Sequence, residues 1–288
     1  MDIRKLARFD RASAFLACPV CSEALARDGR RLACPRGHSF DIARQGYVNL
    51  LRGGGRGGAH EDYGRHTFEM RRRVFDAGLY DPIAQTVAET AAGIVDALGE
   101  RPAVEVVDAG CGEGFFSRAV RGAGVERVCA FDISKDSVQL AAGVNPADGV
   151  AWAVADLAAI PVLDRSAGVV LNVFSPANYR EFGRVLAPGG RVVKVIPTEN
   201  HLREVRRLAA DKLRHGAYSN KRIIEHFGRF CTICDRRTVS ATIPLEDDVR
   251  EALVSMTPVL FSVDAAEIDW SGLTEATAEA EILVGAMR

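Results

Sequence analysis

The chain has 288 residues, a formal net charge of -1 and 48% hydrophobic residues, enough for one large domain with a sizeable core and a second small one. No apolar run approaches the roughly 20 residues of a membrane span. The start, Met1 to Lys5, lacks the apolar stretch of a secretion signal, so a cytoplasmic protein without a membrane partner is expected. At this near-neutral charge bulk electrostatics do not announce a nucleic-acid partner, which leaves local basic clusters to be weighed.

Seven cysteines at unequal spacings favour metal ligation or buried thiols over disulfides in that compartment. The first three join a histidine: Cys18, Cys21, Cys34 and His38 read C-x2-C-x12-C-x3-H. Ligands two residues apart make a tight knuckle, and the second pair closes a tetrahedron around Zn²⁺. Between them, Leu25 to Leu32 reads as a hairpin turning at Asp28 and Gly29. So small a lobe cannot bury a core alone, and metal would supply much of its folding free energy. Four protein ligands leave no open position, so the zinc is structural.

Residues 52–58, R-G-G-G-R-G-G, read as a linker, either a plain tether or a basic loop that orders on RNA. Residues 66–98 read as helical. Arg71, Arg72 and Arg73 stand in a row there beside Met70, Val74 and Phe75, which makes phosphate contact a candidate role against that of a solvated face. The second helix of this region, Ile83 to Leu98, ends at Gly99.

An α/β domain starts at about residue 100. Val104 to Asp108 is short, apolar and β-branched, as a buried parallel strand should be, and a turn with Gly110, Gly112 and Gly114 leads into a helix at Phe115. Glycine lets a ligand lie against the backbone, and the helix N-terminus offers free N–H groups. The G-x-G-x-x-G dinucleotide pattern is not met. The spelling D-A-G-C-G-E-G instead resembles motif I of the class I S-adenosylmethionine (SAM) methyltransferases, in which a carboxylate such as Asp108 suits a cationic amino-acid tail.

Asp132 ends the second strand, where an acid can take both ribose hydroxyls. Asp156 follows the third, Val150 to Val154; in methyltransferases of this fold that position faces the adenine amino group. Asn172 to Pro176 lies at the end of the fourth strand, Gly168 to Leu171, where open α/β sheets place chemistry. Asn172 is a candidate for the cofactor tail, the acceptor base or a structural role, and Phe174 for stacking on a base or for the core. The fifth strand is Arg191 to Ile196, with Glu199 and His201 beyond it. His201 is a candidate base by its intrinsic pKa, against a surface position at the start of a helix from His201 to Leu213. No catalytic base is assigned beyond the candidates Asn172 and His201. Then come a helix from Lys221 to Phe227, a strand from Arg237 to Ile243, a helix from Glu246 to Ser255 and a last strand from Ala278 to Met287. Cys231 and Cys234 read as core or edge thiols.

Taken together, C-P-x-C…C-P-x-x-H-x-F-D, Gly46 to Leu50 (G-Y-V-N-L), the helix carrying Met70, Arg72, Arg73, Phe75, Gly78 and Tyr80, motif I, His201-Leu202 and Met256 to Pro258 resemble the bacterial 23S ribosomal RNA guanine-N1-methyltransferase family. The resemblance spans nearly the whole chain, weakly in its last third, and the glycine-rich loop replaces a longer polar stretch. It implies a Rossmann-like class I SAM methyltransferase domain (100–288) behind an N-terminal zinc-ribbon lobe that recognises RNA (1–51), joined by a basic linker with helices (52–99). It further implies SAM and structural Zn²⁺, methylation of guanine N1 in a 23S rRNA hairpin, and a homodimer. One branch of the family includes macrolide-resistance enzymes, and these residues do not separate the branches. The alternatives are a small-molecule SAM methyltransferase and a non-catalytic zinc-ribbon RNA-binding protein.

Overall fold

In the computed structural model, residues 2–52, 64–98, 102–145, 149–213 and 219–288 are described. The glycine-rich run 53–58, the expected domain junction near residue 100 and most of the polar stretch 215–220 lie outside them. Near the N-terminus, helix α1 (Ile3–Ala7) precedes a small antiparallel sheet of β1 (Ala26–Asp28), β2 (Arg31–Ala33) and β3 (Ser39–Asp41). The predicted hairpin is therefore present, with Gly29 at φ 59 in its turn.

The large sheet has eight strands. Its parallel centre holds β5 (Val104–Ala109), β6 (Val128–Asp132), β7 (Ala151–Val154), β8 (Ala167–Val173) and β9 (Leu186–Pro197). Two antiparallel strands, β11 (Glu275–Met287) and then β10 (Cys231–Pro244), extend it beyond β9. At the opposite edge β4 (Tyr47–Asn49) runs parallel to β7, so the order is β10-β11-β9-β8-β5-β6-β7-β4. The N-terminal lobe thus hands its last strand to the large sheet.

Alternation along the strands feeds two cores. Val106, Val169 and Val193 meet Ile83, Val87 and Ala91 of α3 (Asp81–Ala97) on one face. Val107, Val170 and Val192 meet Phe182 of α6 (Tyr179–Val185), Phe227 of α8 (Lys221–Phe230) and the lobe residues Phe9, Leu16 and Leu25 on the other. Backbone bonds fasten the lobe: the Ala17 amide donates to Pro161 at 3.1 Å and the Leu163 amide to Phe15 at 2.8 Å. Helices α2 (Arg65–Asp76), α4 (Phe115–Gly122), α5 (Lys135–Val144) and α9 (Asp247–Met256) complete the first face.

Three expectations change. The helix after the fifth strand, α7, covers only Arg203–Leu208. Strand β10 is 14 residues long, beginning at Cys231 rather than Arg237; an outer strand with one solvated face carries little apolar alternation to mark its start. Strand β9 begins at Leu186, with the turn-like Pro-Gly-Gly absorbed where the β8–β9 register shifts. Among the described residues no helix is long and apolar enough to cross a membrane.

Candidate active site

The ligand atoms of Cys18, Cys21, Cys34 and His38 all lie within 4.8 Å of one another. His38 Nδ1 is 3.6 Å from Cys18 Sγ and 3.3 Å from Cys34 Sγ, and Cys21 Sγ is 3.6 Å from Cys34 Sγ. Bonds of about 2.3 Å to sulfur and about 2.0 Å to nitrogen put the corners of a tetrahedron roughly 3.5–3.8 Å apart, so these donors fit Zn²⁺. Burial pushes the Cys34 thiol up, but hydrogen bonds from the His38 and Arg36 backbone and from the Cys21 and His38 side chains together hold it at about 6, in favour of the thiolate a metal needs.

The glycine turn sits at the carboxyl end of β5. Its three glycines have positive φ (86, 55 and 85), and their missing Cβ atoms serve different ends. At Gly110 a Cβ would fall 2.3 Å from Ser175 Oγ, and at Gly114 2.3 Å from the Trp152 ring. Those two admit protein. At Gly112 nothing lies closer than 3.8 Å, so that position leaves room for a ligand. Asp108 is buried, with Ser117 Oγ donating to its Oδ2 at 2.6 Å and its Oδ1 left without a hydrogen-bond partner. Burial raises its pKa to about 7, against the Ser117 bond and with the help of Asp132. Asp132 accepts the Gly112 amide at 2.9 Å and the Ser134 amide at 2.8 Å, and burial still raises its pKa. Asp156 is exposed beyond β7, its Oδ1 accepting the Ala158 amide at 2.8 Å. A cradle open at Gly112, with an unsatisfied acid behind it and another beside it, fits the amino-acid tail and ribose of SAM.

Beyond the turn lies an aromatic wall. Phe174, with φ 48, is 37% exposed at the end of β8. Its ring centroid is 5.6 Å from His201, 6.0 Å from Tyr80 and 6.2 Å from Phe116. His201 is half-buried rather than free at the surface: its Nε2 is 3.2 Å from the Tyr80 phenolic oxygen, and its Nδ1 is 3.2 Å from the Glu279 amide. Burial lowers its pKa to about 4, so it is neutral at pH 7. The sequence places His201 just after β9; its burial comes from Tyr80 and β11, far away in the chain.

Asn172 is fully buried and fully engaged. Its Nδ2 donates to the Pro176 carbonyl at 2.7 Å, and its Oδ1 accepts Lys194 Nζ at 2.5 Å. Lys194, a buried lysine on β9 whose pKa burial lowers to about 8, was not singled out from the sequence. The signal was present: one lysine inside the apolar run Val192 to Ile196. On α2, Arg71 and Arg72 are half-buried and Arg73 exposed, with the Arg71 guanidinium carbon 5.3 Å from the centre of the Phe68 ring.

Comparison with known proteins agrees with this geometry. Residues 16–52 match the zinc-ribbon family described as RlmA, N-terminal, and residues 106–190 match a methyltransferase domain family. The 23S rRNA (guanine(748)-N(1))-methyltransferase of Streptomyces fradiae is 33% identical over 88% of this chain and 88% of its own. YxjB of Bacillus subtilis (strain 168), provisionally designated a 23S rRNA (guanine-N(1)-)-methyltransferase, is 32% identical over 93% of this chain and 95% of its own. With a metal-binding lobe, a cofactor turn and an alignment spanning nearly the full length, the chain belongs to the 23S rRNA (guanine-N1)-methyltransferase family.

Proposed function

We propose that this chain transfers a methyl group from SAM to N1 of a guanine in a hairpin of 23S ribosomal RNA. The observation that carries the reading is the aromatic wall of Phe174, Tyr80 and His201 standing beside a glycine turn open at Gly112. The relatives' activity supplies the acceptor. When bound, SAM supplies a methyl group activated by its sulfonium. Asp132 holds the ribose hydroxyls, Asp156 meets the adenine amino group, and Asp108 faces the cationic tail. Gly110 and Gly114 shape the turn, and Gly112 lets the cofactor approach.

Guanine N1 lies on the Watson–Crick edge, so the base must be extruded or taken from a loop. Phe174 stacks on it. Arg72, Arg73 and the zinc lobe hold the surrounding phosphates. Neither candidate base serves as one: Asn172 is consumed in pinning its own loop, and His201 is too weakly basic and is engaged on both nitrogens. The N1 proton leaves to water, and alignment of the in-line displacement is the protein's main contribution. A homodimer working in the cytoplasm belongs to the same reading, and sedimentation of the purified protein tests the first part.

The decisive experiment is methyl transfer from labelled SAM into protein-free large-subunit RNA, with the product nucleoside identified by mass spectrometry. N1-methylguanosine in one hairpin is expected, and its position assigns the family branch. Incorporation into neither free RNA nor assembled subunits, with SAM still bound, would overturn the RNA acceptor and favour a small molecule.

A further inference from the structure

Arg71 stands over the one glycine of the turn where an added Cβ would meet no clash. Its Nη1 would be the nearest heavy atom to a Cβ at Gly112, at 3.8 Å, with Phe68 Cε1 next at 3.9 Å. Phe68, three positions earlier on α2, is buried and lies beneath the guanidinium. Helix geometry therefore aims Arg71 at the cofactor turn, whereas Arg73, roughly 200° further round the helix, is exposed. The Arg71 charge is felt on both sides of the turn: burial raises Asp132 and Tyr80, and Arg71 pulls each of them back.

The charges of the cofactor restrict what this cation can do. SAM carries a cationic sulfonium, a cationic ammonium and one carboxylate. A guanidinium beside the turn repels the first two and attracts the third. Asp108 and Asp132 already offer the acids that the ammonium and the ribose need. An arginine fork matches a carboxylate with two parallel hydrogen bonds. We infer that Arg71 binds the carboxylate of the cofactor's amino-acid tail, in place of the RNA phosphate that its position in an arginine row suggests. The inference rests on SAM being the cofactor.

The test compares two ligands in calorimetric titrations of the full-length zinc-loaded protein. S-adenosylhomocysteine has the amino-acid tail, and 5′-methylthioadenosine lacks it. Arg71→Met is expected to weaken S-adenosylhomocysteine at least tenfold and to leave 5′-methylthioadenosine within twofold, which also shows that the variant is folded. Arg71→Lys should recover part of the loss, and Arg73→Met should change neither ligand. Equal effects on the two ligands, or none on either, would overturn the assignment. Unchanged S-adenosylhomocysteine affinity with a raised KM for RNA would return Arg71 to the phosphates. Failure of the unaltered protein to bind S-adenosylhomocysteine would instead refute the cofactor reading.

Discussion

Lys194 Nζ lies 2.5 Å from Asn172 Oδ1, and both side chains are buried where β8 and β9 run side by side. The ammonium also reaches the Ser175 carbonyl at 3.3 Å, while Asn172 Nδ2 holds the Pro176 carbonyl at 2.7 Å. Ser175 Oγ in turn donates to the Ala109 carbonyl at 3.2 Å, at the edge of the cofactor turn. One buried cation therefore fixes the loop that presents Phe174 and ties that loop to the cofactor turn. Replacing it leaves polar groups without partners, a loss that typically costs about 1–3 kcal/mol per group.

Lys194→Met should lower kcat at least tenfold while leaving S-adenosylhomocysteine affinity nearly intact, as read by kinetics and calorimetry. The pH dependence has a definite sign. Burial lowers this lysine to about 8 in the fold, so between there and its unfolded value the unfolded chain binds more protons, and its contribution to stability rises with pH. Urea unfolding from pH 8 to 10 should show that rise, and Lys194→Met should flatten it.

The glycines of the turn should separate in mutants. Gly114→Ala puts a Cβ 2.3 Å from the Trp152 ring and should destabilise the fold by several kcal/mol, seen as a lower urea midpoint. Gly112→Ala meets no such clash and carries only the strain of φ 55, about 1 kcal/mol. Its Tm should move little, whereas its affinity for S-adenosylhomocysteine should fall.

Asp108 gives the opposite pH sign to Lys194. Burial raises its pKa to about 7, so its contribution favours the fold below its unfolded pKa and is lost as pH climbs through 7. Asp108→Asn should therefore stabilise the ligand-free protein at pH 8, as read by urea unfolding. The same change should weaken S-adenosylhomocysteine. In the unaltered protein that affinity should increase between pH 6 and pH 8 as the carboxylate ionises.

Removal of zinc should be felt beyond the lobe. The lobe core residues Leu16, Leu25 and Leu32 share one cluster with Val107 and Val170 of the large sheet. A strong chelator, or Cys34→Ser, should lower the Tm of the entire chain by several degrees, measured by circular dichroism, and abolish RNA methylation. An unchanged Tm would mean that the lobe is thermodynamically separate.

The parts of this architecture that were legible in the sequence depend on short-range pattern. The Cys18–His38 spacing, the D-A-G-C-G-E-G turn and the acids at strand ends each announce themselves within a few residues, and the structure brings the four metal-site donors within 4.8 Å of one another. What was hidden depends on distant partners. Tyr80 and Glu279 bury His201, and nothing in its own neighbourhood reveals either. β4 has only three residues, too few for alternation to be read, and its existence depends on β7. Lys194 broke an apolar strand in plain view, but its function becomes clear only when Asn172 is seen opposite.

The pairing of β4 with β7 also sets a timetable. Tyr47 pairs with Trp152, which leaves the ribosome about 100 residues later, roughly 5–20 s at typical synthesis rates. The metal ligands Cys18 to His38 are complete well before that moment. The lobe can thus load its zinc during synthesis while its last strand still awaits a neighbour, and closing the sheet is a late, long-range step in the birth of the enzyme.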